Sequence, residues 1–247
     1  KHECEYKLLE EDSVFLKFQI KDKPNEFLII WTTTPWTIPY NLAIMVNPGL
    51  DYVKAKVEFE DHEEVWVVGK SLVGPLVQSV VGKALTVLEE FKGETLLGTE
   101  YVHPWEDDIP QIKELKKAHP NVHTVLLSEK HVDFTAGSGL VHCAPGCGPE
   151  DQEVGKEYKI PAFNNLTEKG EFPKEIGERF AGRIAKKDDK LFIDDMEKDG
   201  FLIATTKVEH DYPTCWRCHD PVIFKTTKQW FFKIEDLREE MIQENAK

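Results

Sequence analysis

The sequence contains few cysteines and no long hydrophobic run, and each absence excludes a class of protein. Five cysteines among 247 residues do not resemble the disulfide framework of a small secreted domain. No apolar stretch approaches the roughly 20 residues that a membrane-spanning helix needs. The chain opens with the charged stretch Lys-His-Glu-Cys, so we expect no signal peptide, and it lacks an initiator methionine, so we expect a fragment of a longer protein. These features favour a cytoplasmic protein with no membrane partner.

Positive charge is also in short supply. Asp and Glu outnumber Lys and Arg by 45 to 31, which gives a formal net charge of −14. Binding nucleic acid across a whole surface needs clustered Lys and Arg to neutralise phosphates, so the composition argues against that mode. Basic residues cluster only locally, in 113–117, 183–187 and 225–233, and a solvated surface explains such clusters. Any nucleic-acid contact is therefore expected to be small, to one end of a molecule.

The sequence is rich in short apolar segments that are typical of β-strands. Val14, Leu16, Phe18 and Ile20 alternate with other residues, as in a half-buried strand. With 247 residues, of which 40% are apolar and 31% charged, the chain can bury a hydrophobic core that needs no disulfide bonds to stabilise it. Many short strands with few helices predict an α+β protein with a closed, β-barrel-like core and helical insertions. The other expected strands are 27–31, 42–46, 52–57, 64–68, 122–127 and 140–143.

The expected helices lie mostly late in the chain. Segment 72–81 predicts a short helix after a Gly-Lys-Ser break. Segment 187–199 carries apolar residues and stops at Gly200, a residue suited to the position after a helix. Apolar residues of the last segment also fall at helical spacing, and they should pack against the chain itself or belong to a following domain. They are Ile234, Leu237, Met241 and Ile242.

The stretch WTTTPWTIPYN, residues 31 to 41, is the first candidate site. Three consecutive threonines follow the expected strand 27–31, and Pro35 then stops regular pairing. Hydroxyls at a strand end can hold a water or an ester oxygen, Trp36 can wall a pocket, and Asn41 can orient a polar group. A Thr-rich strand followed by a turn explains the same residues without any site. The threonines are Thr32, Thr33 and Thr34.

The stretch GSGLVHCAPGCGPED, residues 137 to 151, is the second candidate. Its glycines indicate unusual backbone conformations or a close approach to a ligand. His142 ends an apolar run, Pro149 suits the first position of a helix, and Asp151 then lies in the first turn. A core histidine and an acid that complements the helix dipole are the alternative interpretations. The phosphate-loop pattern GxxxxGK[ST] is absent.

The third candidate is CWRC, residues 215 to 218, whose spacing is half of a zinc site. Cys143 and Cys147, with His142, could complete an internal zinc site, or residues outside the chain could complete the half-site. A cysteine nucleophile activated by His142 is another possibility. Neighbouring residues on a strand point to opposite faces, which counts against pairing Cys143 with His142. A thioredoxin-like motif is disfavoured because no βαβ pattern surrounds it.

Taken together, these motifs resemble one family. WTTTPWTIPYN, GSGLVHCAPGCGPED and YPTCWRC…TTKQWF occur in this order in the inserted editing domain, connective peptide 1, of isoleucyl-tRNA synthetases. The resemblance covers essentially the whole chain. The related valine and leucine enzymes typically carry an arginine and a Pro-Glu-Thr-like run where this chain has Thr34 and 35–37. One departure is Ser138, where the family usually has threonine, and the hydroxyl is kept.

The resemblance implies a class I synthetase editing domain at 1–205, followed by return strands and a helix, 206–247, that lead back to the synthetase body. Such a domain binds the 3′ end of misacylated isoleucine tRNA and hydrolyses the valyl ester, and it could also cleave valyl-adenylate. This second, hydrolytic selection is needed because one methylene in an apolar pocket discriminates only about 10- to 200-fold. The implied partners are the 3′ end of the tRNA and the body of the parent synthetase. The resemblance implies no cofactor and no metal, and it implies a monomer.

The resemblance also implies roles for single residues. The catalytic set would be Thr32, Thr33, Asn41, His142 and Asp151. Asp151 would hold the α-ammonium group, and His142 would lie beside the aminoacyl side chain and help to exclude isoleucine. The substrate-binding set would be Thr34, Trp36, Ser138 and Tyr212. A zinc- or cysteine-dependent hydrolase and a non-catalytic module for tRNA 3′ ends are the alternatives, and the general base is left open.

Overall fold

The structure is a computed structural model that describes residues 4–247. The first three residues, with which the expected first domain begins, lie outside the described range. No helix within the described range is long and apolar enough to cross a membrane.

Within residues 4–247, nine strands form one mixed sheet that curls into a barrel-like core. From one edge the order is β6-β4-β5-β2-β8-β3-β7, and β1 pairs with both β2 and β9. Two isolated bridges, Glu100↔Thr124 and Ile20↔Tyr101, lead from β7 back to the end of β1. The strands are β1 (Cys4–Gln19), β2 (Glu26–Thr32), β3 (Ala43–Val46), β4 (Asp51–Glu58), β5 (Glu63–Gly69), β6 (Ala84–Lys92), β7 (Thr124–Leu127), β8 (Val141–Cys143) and β9 (Leu202–Cys215).

Alternation of apolar residues explains where the core lies. Val14, Leu16 and Phe18 of β1 are fully buried and face the barrel interior together with Leu28 and Ile30 of β2. The opposite face of the sheet buries a second cluster between β4, β5 and the segment after β5. A third cluster lies outside β3 and β8, under α2 (Pro149–Glu157). The predicted strands are confirmed, whereas β6 and the long β9 were not expected as strands of these lengths.

The register between β2 and β8 positions the candidate site. These strands are parallel, with Trp31 paired to Val141, so Thr32 and His142 follow at matching positions. Side chains alternate along a strand, and the two residues therefore project to the same face of the sheet. β5 pairs with the beginning of β2 and β8 with its end, so the chain can open a cavity beside the carboxyl end of β2.

The helices agree in part with the sequence. The helix predicted at 187–199 is α3 (Asp189–Lys198), and Gly200 follows it with a φ of 77°, a value that favours glycine. The helix predicted at 72–81 is a short π-helix, Pro75–Val80. Helix α1 (Pro110–Ala118) was not predicted. The apolar stripe near the end lies on α4 (Arg238–Asn245) and the turn before it, and its residues are exposed.

β9 continues across the boundary expected at residue 205. It pairs antiparallel with β1 from Leu202 to Cys215, and Thr214 is its last fully buried residue. From residue 216 to the end, every side chain is half-buried or exposed. Full burial in the described chain therefore ends at Thr214, although Ile223 still packs against the core and Phe224 still lines a cavity of the body.

Candidate functional site

The three threonines occupy the end of β2 and the tight turn that follows it. The chain leaves the strand at Thr32 and enters a short 3-10 helix, Pro35–Tyr40, because Pro35 cannot donate to a strand partner. The backbone N–H of Thr34 donates to Thr32 Oγ1 at 3.1 Å, and the Thr37 hydroxyl donates to the Thr34 carbonyl at 2.7 Å. Hydroxyls are thereby gathered at one end of the barrel, and Thr33 lines the same cavity.

His142 lies at the centre of this region and is held at both ring nitrogens. Asn41 Nδ2 lies 2.7 Å from Nδ1, and Thr37 Oγ1 lies 2.9 Å from Nε2. An amide nitrogen only donates, so Nδ1 accepts and Nε2 carries the proton. Burial, together with a smaller effect of nearby His103, lowers the pKa of His142 to about 3. The imidazole is therefore neutral and has no free lone pair for proton abstraction.

Asn41 lies one layer behind His142. It is fully buried, it donates to the Ala43 carbonyl at 2.9 Å as well as to His142, and its Oδ1 accepts from the Tyr101 hydroxyl. Asn41 is not among the described residues that line the cavity. Its amide is thus placed to orient the histidine rather than to touch a ligand.

Asp151 is a carboxylate with one oxygen fixed and a cavity in front of it. It occupies the first turn of α2, whose first residue is Pro149, as the sequence predicted. The Ala144 N–H donates to Asp151 Oδ2 at 3.0 Å. Within residues 4–247, no Lys, Arg or His forms an ion pair with it. Burial raises the pKa of Asp151 to about 7, a shift that the Ala144 hydrogen bond opposes and the Glu150 charge increases.

The residues expected to bind substrate also reach the cavity. Trp36 is buried and presents its indole to the cavity, Tyr212 reaches the cavity from β9, and Ser138 reaches it from the glycine-rich loop. The Ser138 hydroxyl donates to the Leu140 carbonyl at 3.2 Å, so it also stabilises the loop that carries it. Lys186 Nζ lies 4.8 Å from the centre of the Tyr212 ring and supports that ring from behind.

One cavity of about 500 Å³ joins these side chains. It brings together all the predicted site residues except Asn41. Sequence reasoning did not select Thr37, although its hydroxyl contacts His142, and its position inside the threonine-rich stretch is the signal that could have found it. Other residues that line this cavity were not selected from the sequence, and they lie in β2, in the loop before β8 and in the segment after β9. They include Trp31, His131, Asp133, Thr135 and Phe224.

Cys143 and Cys147 do not form a reactive centre in the described chain. His142 faces the cavity, whereas Cys143 packs in the cluster under α2, so the two lie on opposite faces of β8, as alternation predicts. Burial raises the pKa of both the Cys143 and the Cys147 thiols, which keeps them neutral. Within residues 4–247, no three His, Cys, Asp or Glu side chains are grouped so that they could hold a metal ion. The internal zinc site considered from the sequence is therefore not assembled.

Sequence comparison relates the chain to one group of enzymes over nearly its whole length. It is 43% identical over 241 residues to the isoleucine–tRNA ligase of Pyrococcus abyssi, which covers 98% of this chain and 22% of that protein. It is 38% identical over 243 residues to the isoleucine–tRNA ligase of Methanocaldococcus jannaschii, which covers 97% of this chain and 23% of that protein. It is 36% identical over 247 residues to the isoleucine–tRNA ligase of Kosmotoga olearia, which covers 99% of this chain and 25% of that protein. The chain thus spans about a fifth to a quarter of these relatives, and no family model matches it.

Solved structures with a similar fold include GlLeuRS-CP1 and a leucyl-tRNA synthetase editing domain. GlLeuRS-CP1 superposes with a TM-score of 0.56 at 14% identity, covering 78% of this chain and 98% of that one. The editing domain of the cytosolic leucyl-tRNA synthetase of P. falciparum gives a TM-score of 0.53 at 12% identity, with 78% and 99% covered. These likenesses concern the fold alone, and they confirm the predicted α+β class with a barrel-like core and helical insertions.

Proposed function

We propose that this chain, which belongs to the isoleucine–tRNA ligase family as a segment of such enzymes, is an editing domain that hydrolyses valyl esters mischarged onto isoleucine tRNA. The observation that supports this most directly is the cavity itself. It combines the Asp151 carboxylate, which the Ala144 N–H orients and which has no cationic partner in the described chain, with a row of hydroxyls and a neutral histidine. An aminoacyl ester carries an ammonium group, an ester oxygen and a side chain, and the cavity offers a complementary group for each.

Asp151 would bind the α-ammonium group of the aminoacyl moiety. The Ala144 N–H holds one carboxylate oxygen, so the side chain is already oriented when the substrate arrives. A cation in the cavity would supply the opposite charge that the partly buried Asp151 carboxylate lacks in the free chain. The charge-assisted hydrogen bond between them would anchor the ester in one orientation. This role keeps Asp151 engaged during the reaction, so it is not assigned as the base.

The threonine turn would position the ester and the attacking water. Water adds to the ester carbonyl carbon, the bond from that carbon to the ribose oxygen breaks, and free valine leaves a deacylated tRNA. Hydroxyls of Thr32, Thr33 and Thr34 at the mouth of the turn can hydrogen-bond the water and the developing oxyanion. Orientation of this kind can suffice, because an aminoacyl ester is already an activated bond. His142 is not assigned as the base, since both of its nitrogens are engaged.

Selection against isoleucine would come from the walls of the aminoacyl pocket. The His142 ring and the Trp36 indole are held by their surroundings and cannot easily retreat. An additional methyl group would overlap such a wall, and overpacking of a fixed pocket costs about 1–3 kcal/mol. Tyr212 and Ser138 would complete the pocket around the terminal nucleotide. The same site could also accept valyl-adenylate.

The proposed partners follow from the same reaction. The chain would act as a monomeric unit within a parent synthetase in the cytoplasm, where it would receive the 3′ end of misacylated tRNA, and it would need no cofactor. Segment 206–247 would lead back to the synthetase body. A cysteine-dependent hydrolase is the less favoured alternative, because burial keeps the Cys143 and Cys147 thiols neutral.

Deacylation of valyl-tRNA and isoleucyl-tRNA, both charged on isoleucine tRNA, tests the proposal with the purified chain. We expect loss of valine alone, at a rate that a chelator or a thiol reagent does not change. Asp151→Asn should lower the rate at least about 30-fold, because removing one partner of a desolvated charge pair costs about 2 kcal/mol or more. Glu157→Gln is the matched control, since it changes an exposed acid of the same helix.

Several results would contradict the proposal. They are full activity of Asp151→Asn, equal hydrolysis of both esters, or inactivation by the chelator or the thiol reagent. Tight tRNA binding without turnover would identify a binding module instead.

A further inference from the structure

A continuous line of hydrogen bonds runs from the barrel interior to the cavity. It begins at the hydroxyl of Tyr101, which is fully buried and packs against Phe18. That hydroxyl donates to Asn41 Oδ1, and Asn41 Nδ2 lies 2.7 Å from His142 Nδ1. His142 Nε2 lies 2.9 Å from Thr37 Oγ1, whose hydroxyl lies 2.7 Å from the Thr34 carbonyl. The line therefore ends in the threonine turn.

Every bond in this line has a fixed direction. A phenol beside an amide oxygen donates to it, and this leaves the amide nitrogen to face His142 and the Ala43 carbonyl. The amide nitrogen donates to Nδ1, so Nε2 must carry the imidazole proton. Thr37 can accept that proton because its own hydroxyl hydrogen is used on the Thr34 carbonyl.

We infer that Tyr101 is a positioning residue: through Asn41, its hydroxyl holds His142 in the Nε2–H tautomer and in one ring orientation at the cavity wall. Neither Tyr101 nor Asn41 is among the described residues that line the cavity, so both act only through the histidine. The effect on tautomer is a property of the folded chain. The effect on ester selectivity rests on the proposed function.

The opposite tautomer is disfavoured by the same contacts. It would direct an N–H of His142 at the N–H of Asn41, and two donors cannot form a hydrogen bond. It would also leave a lone pair facing Thr37, whose hydroxyl hydrogen is already engaged. The ring could relieve both conflicts only by tilting, which would move the wall that faces the aminoacyl side chain.

Nitrogen NMR of the whole chain tests the tautomer of His142 without any activity measurement. Long-range ¹H–¹⁵N spectra distinguish a protonated ring nitrogen from an unprotonated one, and His142→Gln assigns the His142 signals among the nine histidines. We expect the wild type to show an unprotonated Nδ1 and a protonated Nε2. In Tyr101→Phe, both shifts should move toward the values of a tautomer mixture, and the ratio of valyl to isoleucyl hydrolysis should fall severalfold.

Tyr40→Phe is the matched control. Tyr40 is also fully buried, and its hydroxyl donates to Asn165 Oδ1 at 2.9 Å, so the variant loses the same type of bond away from His142. Both variants should lower the melting temperature by a similar amount. Only Tyr101→Phe should move the His142 shifts and the selectivity ratio.

A second variant covers the case in which Tyr101→Phe does not fold. Asn41→Asp keeps an acceptor for Tyr101 but presents a second oxygen to His142, so Nδ1 should gain a proton. A protonated Nδ1 in the wild type, or unchanged His142 shifts in a folded Tyr101→Phe or Asn41→Asp chain, would overturn the inference. A wild-type chain with the expected shifts but no deacylation would instead overturn the proposed function and leave the tautomer assignment standing.

Discussion

At the scale of single residues, Asp151 should make the stability of the free chain depend on pH. Burial raises its pKa from 3.8 to about 7, so the folded state takes up a proton more readily than the unfolded state. Below pH 4 both states are protonated, and the group costs nothing. As pH rises from about 4 to 7, the unfolded state ionises while the desolvated carboxyl of the folded state keeps its proton, so the free energy of unfolding falls, and it levels off above about pH 7 once the folded state also ionises.

Asp151→Asn should therefore be more stable than the wild type at pH 8, by on the order of 4 kcal/mol, and equally stable near pH 4. Urea unfolding at several pH values measures this difference. The control Glu157→Gln should show no such trend, because its side chain is exposed. A constant difference between Asp151→Asn and the wild type across the pH range would show that Asp151 is not desolvated in the folded chain.

The sequence could indicate which residue types form the site but not how they bond. Three threonines at a strand end, a histidine at the end of another strand and an acid in a first helical turn were all predicted, and all line one cavity. The position of Asn41 behind His142 was not predictable, because it depends on Tyr101, which is 60 residues away in the chain. Long-range partners such as this leave no local pattern.

At the scale of elements, helix α2 approaches the loop before it unusually closely. A Cβ atom at Gly155 would lie 2.8 Å from two side-chain carbons of Pro145, which is closer than such atoms pack. Helix propensity alone favours alanine over glycine by about 1 kcal/mol. The close contact should outweigh that gain, because overpacking costs about 1–3 kcal/mol.

Gly155→Ala should therefore destabilise the chain by about 1 kcal/mol and slow deacylation, because α2 also carries Asp151. Glu157→Ala, a substitution to the same residue on the exposed side of α2, should do neither. Urea unfolding and valyl-tRNA deacylation measure the two effects. Higher stability in Gly155→Ala would mean that α2 shifts without strain and that the glycine is not required.

Elements with clear periodicity could be predicted, and those without it could not. The apolar alternation of Val14, Leu16 and Phe18 predicted a strand that the structure contains as part of β1. Gly200 predicted the end of a helix, and it follows α3 directly. Strand β6 is largely exposed on both faces and carries no apolar alternation, so only its pairing with β4 defines it. Most residues of β9 are polar, and its pairing with β1 is likewise what defines it as a strand.

At the scale of the whole molecule, the chain divides into a packed body and an exposed end. β9 covers β1 along most of its length, and burial ceases after Thr214. The aromatic residues of the end, such as Trp230 and Phe231, are almost fully exposed and make little contribution to the core. Because Ile223 still packs against the core and Phe224 lines the cavity, a domain limit near residue 225 fits the packing better than one inside β9.

Two shortened chains distinguish these limits. Removing residues 228–247 should change the free energy of unfolding by no more than about 0.5 kcal/mol, as for surface changes in general, and should leave the cavity intact. Ending the chain at residue 205 should prevent cooperative folding, because it removes most of the strand that pairs with β1 and also removes Tyr212 from the cavity wall. Urea unfolding followed by circular dichroism measures both. Loss of cooperative unfolding on removal of 228–247 would show that the exposed end packs against the body, and stable folding of the chain that ends at 205 would show that β9 is dispensable.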